Sequence, residues 1–311
     1  MTRAAAGVPR CAPRGKRGAV ATSGFAYHRP TTLREAWRLL AEHPGAALLA
    51  GGTDLLVRIR ARELQPSAVV SLRSIPELAG AAAERGGGLR LGAATPVADL
   101  LRRATVVRRY PLLAQALRVM ASPQIRNVAT LGGNLCNASP CADTAPPLLA
   151  YEARVELRSA RGRRELPLEE FFRGPGTTAR RASEILTAVR LPAPPPGARV
   201  LFHKQRRVHL DLALASVAVL LRLQGTTCRR ARLAAGSVGP TPLRLRAVER
   251  FLEGRILTEE VAVEAGRLAA TAVSPITDLR STADWRRRIV EVRVRRALVE
   301  LAGLERAGGA P

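Results

Sequence analysis

The sequence predicts an α+β protein in which strands and helices alternate along most of the chain. From Phe25 onward, short apolar runs typical of buried strands alternate with segments whose apolar residues recur at helical spacing. The three prolines of "APPPG", residues 193–197, can continue neither a strand nor a helix and predict a linker. With 311 residues, 47% of them apolar, the chain can hold two or three subdomains.

The first subdomain is expected at about residues 24–76. "TTLREAWRLLAEHPG" predicts a helix with a threonine cap, and "AALLAGG" predicts a short buried strand that ends in a glycine turn. A second helix is expected in "TDLLVRIRAREL", capped by Thr53 or Asp54, before the strand "SAVVSLRSI". The residues of this helix expected to face inward are Leu55, Leu56 and Ile59.

The second subdomain is expected at about residues 77–192, which completes a domain of residues 24–192. In it, "YPLLAQALRVM" predicts an amphipathic helix, and "ARVELRSARGRRELPLEEFF" and "EILTAVRLP" predict strands around the loop "RGPGTT". A further domain is expected at 199–304, closed by a helix near "DWRRRIVEVRVRRALVELAG". That helix is expected to dock through one face, formed by Trp285, Ile289, Val292 and Val299.

The formal net charge of +25 suggests nucleic-acid binding, but the type and distribution of the basic residues argue against this function. Nearly all basic residues are Arg spread along the chain, and Lys occurs only at Lys16 and Lys204. Aromatic residues, which a single-strand-binding surface interleaves with basic ones, make up only 3%. An acidic partner subunit remains a reasonable use for this charge.

Both chain ends are expected to lie outside the folded domains. Residues 1–23 carry five basic residues and no acid, and without a long apolar segment they predict a disordered tail instead of a signal peptide. Residues 305–311 predict a second tail. No run of roughly 18 apolar residues occurs, so no membrane span is expected. The irregular spacing of the four Cys favours a reduced, cytoplasmic setting.

Two glycine pairs carry the main functional signal. Each is predicted to follow an apolar strand and to precede small polar residues: Ala50-Gly51-Gly52-Thr53-Asp54 and Thr130-Leu131-Gly132-Gly133-Asn134. Paired glycines allow positive φ and let an anion approach the main chain, where successive N–H groups can bind it. A pyrophosphate would suit two such turns, although each could be only a tight turn. Neither matches the G-x-G-x-x-G or P-loop pattern.

A metal site is not expected. Cys136 and Cys141 are not spaced as a ligand pair, Cys11 and Cys228 have no partner nearby in the sequence, and the His residues form no ligand pattern. The thiols are interpreted as small hydrophobic side chains. No catalytic triad or carboxylate pair occurs, so no catalytic residue is named. Lys204, the only Lys of the folded part, is a candidate for a task that suits a flexible point charge, with a chance surface position as the alternative.

Seven landmarks in order resemble the flavoprotein subunit of the molybdenum hydroxylases, the xanthine dehydrogenase and carbon monoxide dehydrogenase family. Between about Phe25 and Leu304 they are "FAYHRPTTLREA", "LLAGGTDLL", "IRNVATLGGNLCNASPCADTAPPLLA", "EILTAVRLP", "FHKQRRVHLDLALASVAV", "GSVGPTPLR" and "DLRSTADWRRRIVEVRVRRAL". The cysteine-bearing insertion of the hydroxybenzoyl-CoA reductase branch, which adds an iron–sulfur cluster, is not in this sequence.

The resemblance implies an FAD-binding domain of the vanillyl-alcohol-oxidase type with two subdomains, followed by a smaller α+β C-terminal domain. It implies that both glycine segments hold the FAD pyrophosphate and that Asp143 lies near the polar middle of the cofactor. The implied flavin-side residues are Leu186, Lys204 and, more loosely, Met120, where the xanthine dehydrogenase branch has an aromatic residue. The full implied pyrophosphate set is Leu48, Leu49, Ala50, Gly51, Gly52, Thr53, Asp54, Leu55, Thr130, Leu131, Gly132, Gly133 and Asn134.

The implied function is electron relay within a heterotrimer. A large molybdopterin-binding subunit would act on the substrate, and a small subunit with two [2Fe–2S] clusters would pass electrons to FAD here, for transfer to NAD+ or another acceptor. Two alternatives stay open: a free-standing flavoenzyme of the same fold, similar to UDP-N-acetylenolpyruvoylglucosamine reductase, and a cofactor-free basic module that binds RNA or an acidic protein.

Overall fold

A computed structural model describes residues 24–304 of the chain. The tails expected at residues 1–23 and 305–311 lie outside the described residues. The strands, in chain order, are β1 (Ala26–His28), β2 (Ala47–Leu49), β3 (Ala68–Ser71), β4 (Ala81–Ala83), β5 (Leu89–Gly92), β6 (Arg154–Ser159), β7 (Gly162–Pro167), β8 (Phe172–Gly174), β9 (Thr177–Thr178), β10 (Ile185–Leu191), β11 (Arg199–Gln205), β12 (Ala215–Gln224), β13 (Thr227–Gly236) and β14 (Leu243–Arg244).

The α-helices lie between and after these strands. They are α1 (Leu33–Glu42), α2 (Leu55–Arg60), α3 (Val97–Arg102), α4 (Ala104–Arg109), α5 (Pro111–Val119), α6 (Pro123–Val128), α7 (Leu131–Cys136), α8 (Ala145–Ala150), α9 (Leu168–Phe171), α10 (Arg246–Leu252), α11 (Glu259–Thr271) and α12 (Ala283–Ala302). Between 24 and 304, no helix is both long and apolar enough to cross a bilayer.

The N-terminal sheet is parallel, with strand order β1-β3-β2. The predicted helix α1 covers it, and the side chain of Thr32 caps that helix by accepting a hydrogen bond from Glu35 N at 3.2 Å. Leu33 and Leu39 are buried against β3. Each buried leucine stabilises this layer by about 1.5–3 kcal/mol.

The second sheet is antiparallel, with order β4-β5-β10-β6-β7. The helices α3, α5 and α8 contribute apolar side chains to its core, the largest hydrophobic cluster in residues 24–304. Strand β10 is the central strand of this sheet, and its buried residue Leu186 lines the same cavity as residues that follow β2 and β5.

The third sheet is antiparallel, with order β11-β12-β13-β14, and packs α10, α11 and α12 on one face. Val217 and Val219 of β12 face these helices, whereas Ala218 and Leu220 join the core of the second sheet. Because β12 is buried on both faces, its sequence is a continuous apolar run instead of an alternating one. One face of the third sheet therefore packs into the core of the second sheet, and the other face forms a separate core with the helices.

Three local predictions were wrong. None of the residues of α2 is buried, and Leu56, predicted to face inward, is 48% exposed. The apolar run before Thr130 forms α6 and not a strand, so the second glycine pair follows a helix. Helix α12 docks as predicted through Ile289, but Trp285 is 56% exposed and Arg286, only 2% exposed, takes the inward position.

Candidate functional site

A cleft of about 490 Å³ lies between the N-terminal sheet and the second sheet. One wall is the segment from Gly45 to Leu55, and the opposite wall comes from α7 and the turn after β5. The β8–β9 hairpin adds a third wall with Thr177 and Thr178. This volume lies in the usual range of cofactor and ligand pockets, about 300–1,000 Å³.

The first glycine pair forms the turn between β2 and α2. Gly52 has φ +82°, a conformation that side chains rarely adopt. A Cβ on Gly51 would lie 2.8 Å from Ala129 Cα and closer still to Val128 O, so this turn touches the backbone after α6. Within residues 24–304, the N–H groups of Gly51, Gly52 and Thr53 donate no hydrogen bond to the protein. They are free to bind an anion.

The second glycine pair lies in the first turn of α7 and differs from the expected anion-binding turn. Gly132 N donates to Ala93 O at 2.8 Å, Gly133 N to Thr130 Oγ1 at 3.1 Å and Asn134 N to Thr130 O at 3.0 Å. Their N–H groups are thus already used inside the protein. A Cβ on Gly132 would meet Ala93 Cβ at 2.6 Å, so this pair lets α7 approach β5 closely.

Polar side chains of the second segment remain available to the cleft. Asn134 Oδ1 accepts the Thr144 hydroxyl at 2.6 Å, which leaves the two amide N–H groups of Asn134 as donors. Asn137 Nδ2 donates to Asp54 Oδ1 at 3.1 Å, and this bond joins the two walls. The cleft therefore has backbone donors on one wall and side-chain donors on the other.

A buried ion pair lies beside the cleft. Lys204 Nζ on β11 is 2.7 Å from Asp143 Oδ2, and the two side chains are only 3% and 7% exposed. Lys204 also lies 3.5 Å from the carbonyl oxygen of Val119, the residue before Met120. Burial raises the pKa of Asp143, and Lys204 and then Arg206 oppose that shift. Asp143 Oδ1 is buried and accepts no hydrogen bond from residues 24–304.

Most of the residues predicted for the site line this one cleft. They are Leu48, Ala50, Gly51, Gly52, Thr53, Asp54, Leu55, Met120, Thr130, Gly132, Gly133, Asn134 and Leu186. Four do not line it: Leu49, Leu131, Asp143 and Lys204. Leu131 is fully buried in the core, whereas Asp143 and Lys204 form the ion pair beside the cleft.

Sequence reasoning missed several residues that line the cleft, among them Arg58, Cys136, Asn137 and Arg180. Cys136 and Asn137 follow the second glycine pair by one helical turn, and this spacing could have placed them beside it. Arg180 had no local signal. Its Nη1 donates to Glu184 O at 2.8 Å, which fixes it after the β8–β9 hairpin. In the described part of the chain, no three His, Cys, Asp or Glu residues cluster as metal ligands.

Comparison with known proteins places this architecture in a family. Residues 23–194 match the FAD binding domain in molybdopterin dehydrogenase, and residues 200–301 match the CO dehydrogenase flavoprotein C-terminal domain. A putative xanthine dehydrogenase FAD-binding subunit of Escherichia coli (strain K12) is 33% identical over 285 residues, which cover 91% of this chain and 97% of that protein. The carbon monoxide dehydrogenase medium chain of Hydrogenophaga pseudoflava is 37% identical over 276 residues, 88% and 96% of the two chains.

Solved structures agree with this placement. A chain of Hydrogenophaga pseudoflava carbon monoxide dehydrogenase that lacks the Mo-pyranopterin moiety superimposes with a TM-score of 0.86 at 36% identity, covering 90% of this chain and 97% of that one. The fold and the cleft thus define an FAD-binding flavoprotein. The chain belongs to the FAD-binding medium subunits of the molybdenum hydroxylases, the family of xanthine and carbon monoxide dehydrogenases, and is an oxidoreductase component. The predicted resemblance and α+β architecture are confirmed.

Cys136 should react slowly with iodoacetamide at neutral pH. Burial raises the pKa of this thiol to about 11, with Arg180 opposing, so little of the reactive thiolate is present. Mass spectrometry after labelling from neutral pH to about pH 10 measures this, with the unfolded chain as control. Fast labelling of the folded chain at neutral pH would contradict this prediction.

Cys136→Ser and Cys141→Ser should each leave FAD content nearly intact, measured as cofactor released per chain.

Proposed function

We propose that this chain is the electron-relay subunit of a molybdopterin-dependent hydroxylase or dehydrogenase. Its partners would be a large molybdopterin-binding subunit and a small [2Fe–2S] subunit. The name "medium chain" of its carbon monoxide dehydrogenase relatives supports an assembly with larger and smaller subunits. Bound FAD would supply the redox chemistry that connects the iron–sulfur subunit to NAD+ or another acceptor. A cytoplasmic location stays a prediction.

The observation that carries this proposal is the contact between the two glycine segments. The close approach of Gly51 to Ala129 brings the free N–H groups of the first turn opposite the side-chain donors of the second segment. A dinucleotide pyrophosphate is an elongated anion that can accept hydrogen bonds from both sides. We therefore propose that Gly51, Gly52 and Thr53 hold the pyrophosphate by main-chain N–H groups, with Asn134 donating from α7.

The rest of the cleft fits the remaining parts of FAD. Apolar walls formed by Leu78, Met120 and Leu186 suit the flat faces of aromatic rings. We propose that Lys204 influences the bound flavin without lining the cleft. Its ion pair with Asp143 and its contact with Val119 O fix the segment that carries Met120. The positive end of this buried pair would favour the reduced form of the cofactor.

Purification from the native host tests the proposal. We expect a yellow protein that releases FAD on denaturation and co-purifies with a larger and a smaller subunit, the smaller one containing iron and sulfide. A yellow chain that purifies alone and turns over a substrate of its own would favour the free-standing flavoenzyme. A colourless chain with steeply salt-dependent RNA binding would favour the basic binding module.

A further inference from the structure

Helix α12 carries two neighbouring arginines that have no acidic partner. Its first three arginines, Arg286, Arg287 and Arg288, each pair with a carboxylate at 2.8 Å. Farther along the helix, Arg293 and Arg296 form no ion pair with any carboxylate of residues 24–304. Arg296 is exposed, but Arg293 is half-buried. A cation that is partly removed from water without an opposite charge is unfavourable, so this part of α12 favours an anion.

Strand β11 presents polar side chains to these arginines. Successive side chains of a strand point to opposite faces. Phe202 packs against the core of the second sheet, whereas Leu201 packs against the core that the third sheet forms with the helices. His203 and Gln205 therefore lie on the α12 face, and Arg293 Nη2 donates to Gln205 Oε1 at 2.6 Å. This bond fixes one guanidinium nitrogen at the strand and leaves the other nitrogens of that group as donors.

His203 brings a third nitrogen to the same place. Its Nε2 is buried and has no hydrogen-bond partner among the described residues. Burial and then the charge of Arg293 lower the pKa of His203 to about 4, with Arg296 acting in the same direction, so the ring is neutral at pH 7. Gln205 opposes the shift but is uncharged, and Val217, the neighbour of His203 on β12, is apolar. An anion bound here would reverse the shift, because it would favour the protonated ring.

We propose that His203, Arg293 and Arg296 form a binding site for a phosphate group, with Gln205 positioning Arg293. Arginine suits phosphate because its planar group of N–H donors can bond two oxygens at once. A phosphate group has enough oxygens for two guanidinium groups and the imidazole together, whereas the two oxygens of a carboxylate would be fewer than the three side chains. None of these four residues lines the cofactor cleft, so the site is separate from the proposed FAD site.

Calorimetric titration of the full chain with inorganic phosphate tests this site, with chloride in excess to screen general attraction to the basic surface. Arg293→Gln and, separately, Arg296→Gln should each weaken phosphate binding at least about tenfold, because each removes a charged hydrogen-bond donor. Arg295→Gln is the matched control and should bind phosphate like the wild type. It removes the same charge from an exposed position of α12, but Arg295 lies against α11 at Gly266.

All three variants should keep the wild-type circular dichroism spectrum and FAD content. Arg296 is exposed, so its substitution leaves the fold intact, and wild-type phosphate affinity in Arg296→Gln would overturn the inference. A wild-type chain that binds no phosphate at millimolar concentration would also overturn it. Since FAD content is measured separately, neither result would bear on the proposed function.

Proton uptake by His203 gives an independent readout, with sulfate as the probe because sulfate stays a dianion between about pH 8 and pH 5. The NMR signal of the His203 ring, identified by its loss in His203→Gln, should titrate with a higher pKa when sulfate is bound. Sulfate affinity should therefore rise as the pH falls, and this dependence should disappear in His203→Gln. An unchanged His203 titration at saturating sulfate would exclude the ring from the site.

Three further probes identify the ligand. Acetate that binds as tightly as phosphate would overturn the phosphate assignment in favour of a carboxylate. Methyl phosphate that binds more tightly than inorganic phosphate would support the proposal and identify a phosphate ester as the preferred ligand. Weaker binding of methyl phosphate than of inorganic phosphate would support it with free phosphate as the ligand.

Discussion

Replacing Gly51 by alanine should abolish most FAD binding. The new Cβ would lie 2.8 Å from Ala129 Cα and closer to Val128 O, and both are backbone atoms that cannot rotate away. The two segments must therefore separate. Overpacking of this kind costs about 1–3 kcal/mol of folding free energy. The contact that it disrupts is the one that aligns the N–H groups of the turn, so FAD binding is affected directly. We expect FAD affinity to fall at least about tenfold, measured by flavin fluorescence titration.

Gly174→Ala is the matched control for this substitution. A Cβ there meets no atom within 4 Å, and Gly174 does not line the cleft, although it lies in the hairpin beside it. It should keep wild-type FAD affinity and thermal stability. Wild-type FAD affinity in Gly51→Ala, with its fold retained by circular dichroism, would show that close contact of the two segments is not required for the cofactor.

The parts of the fold that the sequence predicted well are those with a long, clear period. Helix α1 has apolar residues at helical spacing and a threonine cap, and both features appear in the structure. The run before Thr130 is too short for periodicity to separate a helix from a strand, so α6 was missed. Helix α2 was predicted, but Leu56 and Val57 face solvent, because an amphipathic pattern does not say whether the same chain covers the apolar face.

In the candidate site too, features of the local sequence were predicted, whereas contacts between distant segments were not. The two glycine segments were recognised from local sequence, and the structure brings them together. The bond between Asn137 and Asp54 joins residues 83 positions apart, and Arg180 reaches the cleft from a hairpin with no sequence signal. Such contacts depend on how the sheets pack, and this packing cannot be derived from a single sequence. Lys204 was singled out because it is the only Lys of the folded part, and the structure pairs it with Asp143.

Replacing Lys204 by methionine should destabilise the protein and weaken the flavin site. Methionine keeps much of the side-chain volume but leaves Asp143, 7% exposed, without its nearest cation. Removing one partner of a buried ion pair costs about 3–5 kcal/mol. The free energy of unfolding from denaturant titration should fall by that amount. The midpoint potential of bound flavin should become more negative, because a positive charge near the cleft is lost.

The pH dependence of Lys204→Met follows from the remaining carboxyl group. Burial raises the pKa of Asp143 in the folded state, and without Lys204 only Arg206 opposes that shift. A carboxyl group with a raised folded pKa leaves stability intact below its unfolded pKa, about 3.9 for aspartate, and reduces stability as pH rises through the folded pKa. The stability gap between the variant and the wild type should therefore narrow as the solution is acidified.

The double variant Asp143→Asn/Lys204→Met separates loss of the pair from loss of packing. Both charges are then absent, so most of the stability lost in Lys204→Met should return, because no buried charge is left unpaired. The flavin potential should stay shifted if Lys204 acts on the cofactor through its charge and its hold on the Val119 carbonyl. A potential and FAD occupancy equal to the wild type in Lys204→Met would show that the pair only stabilises the junction of β11 with the loop that carries Asp143.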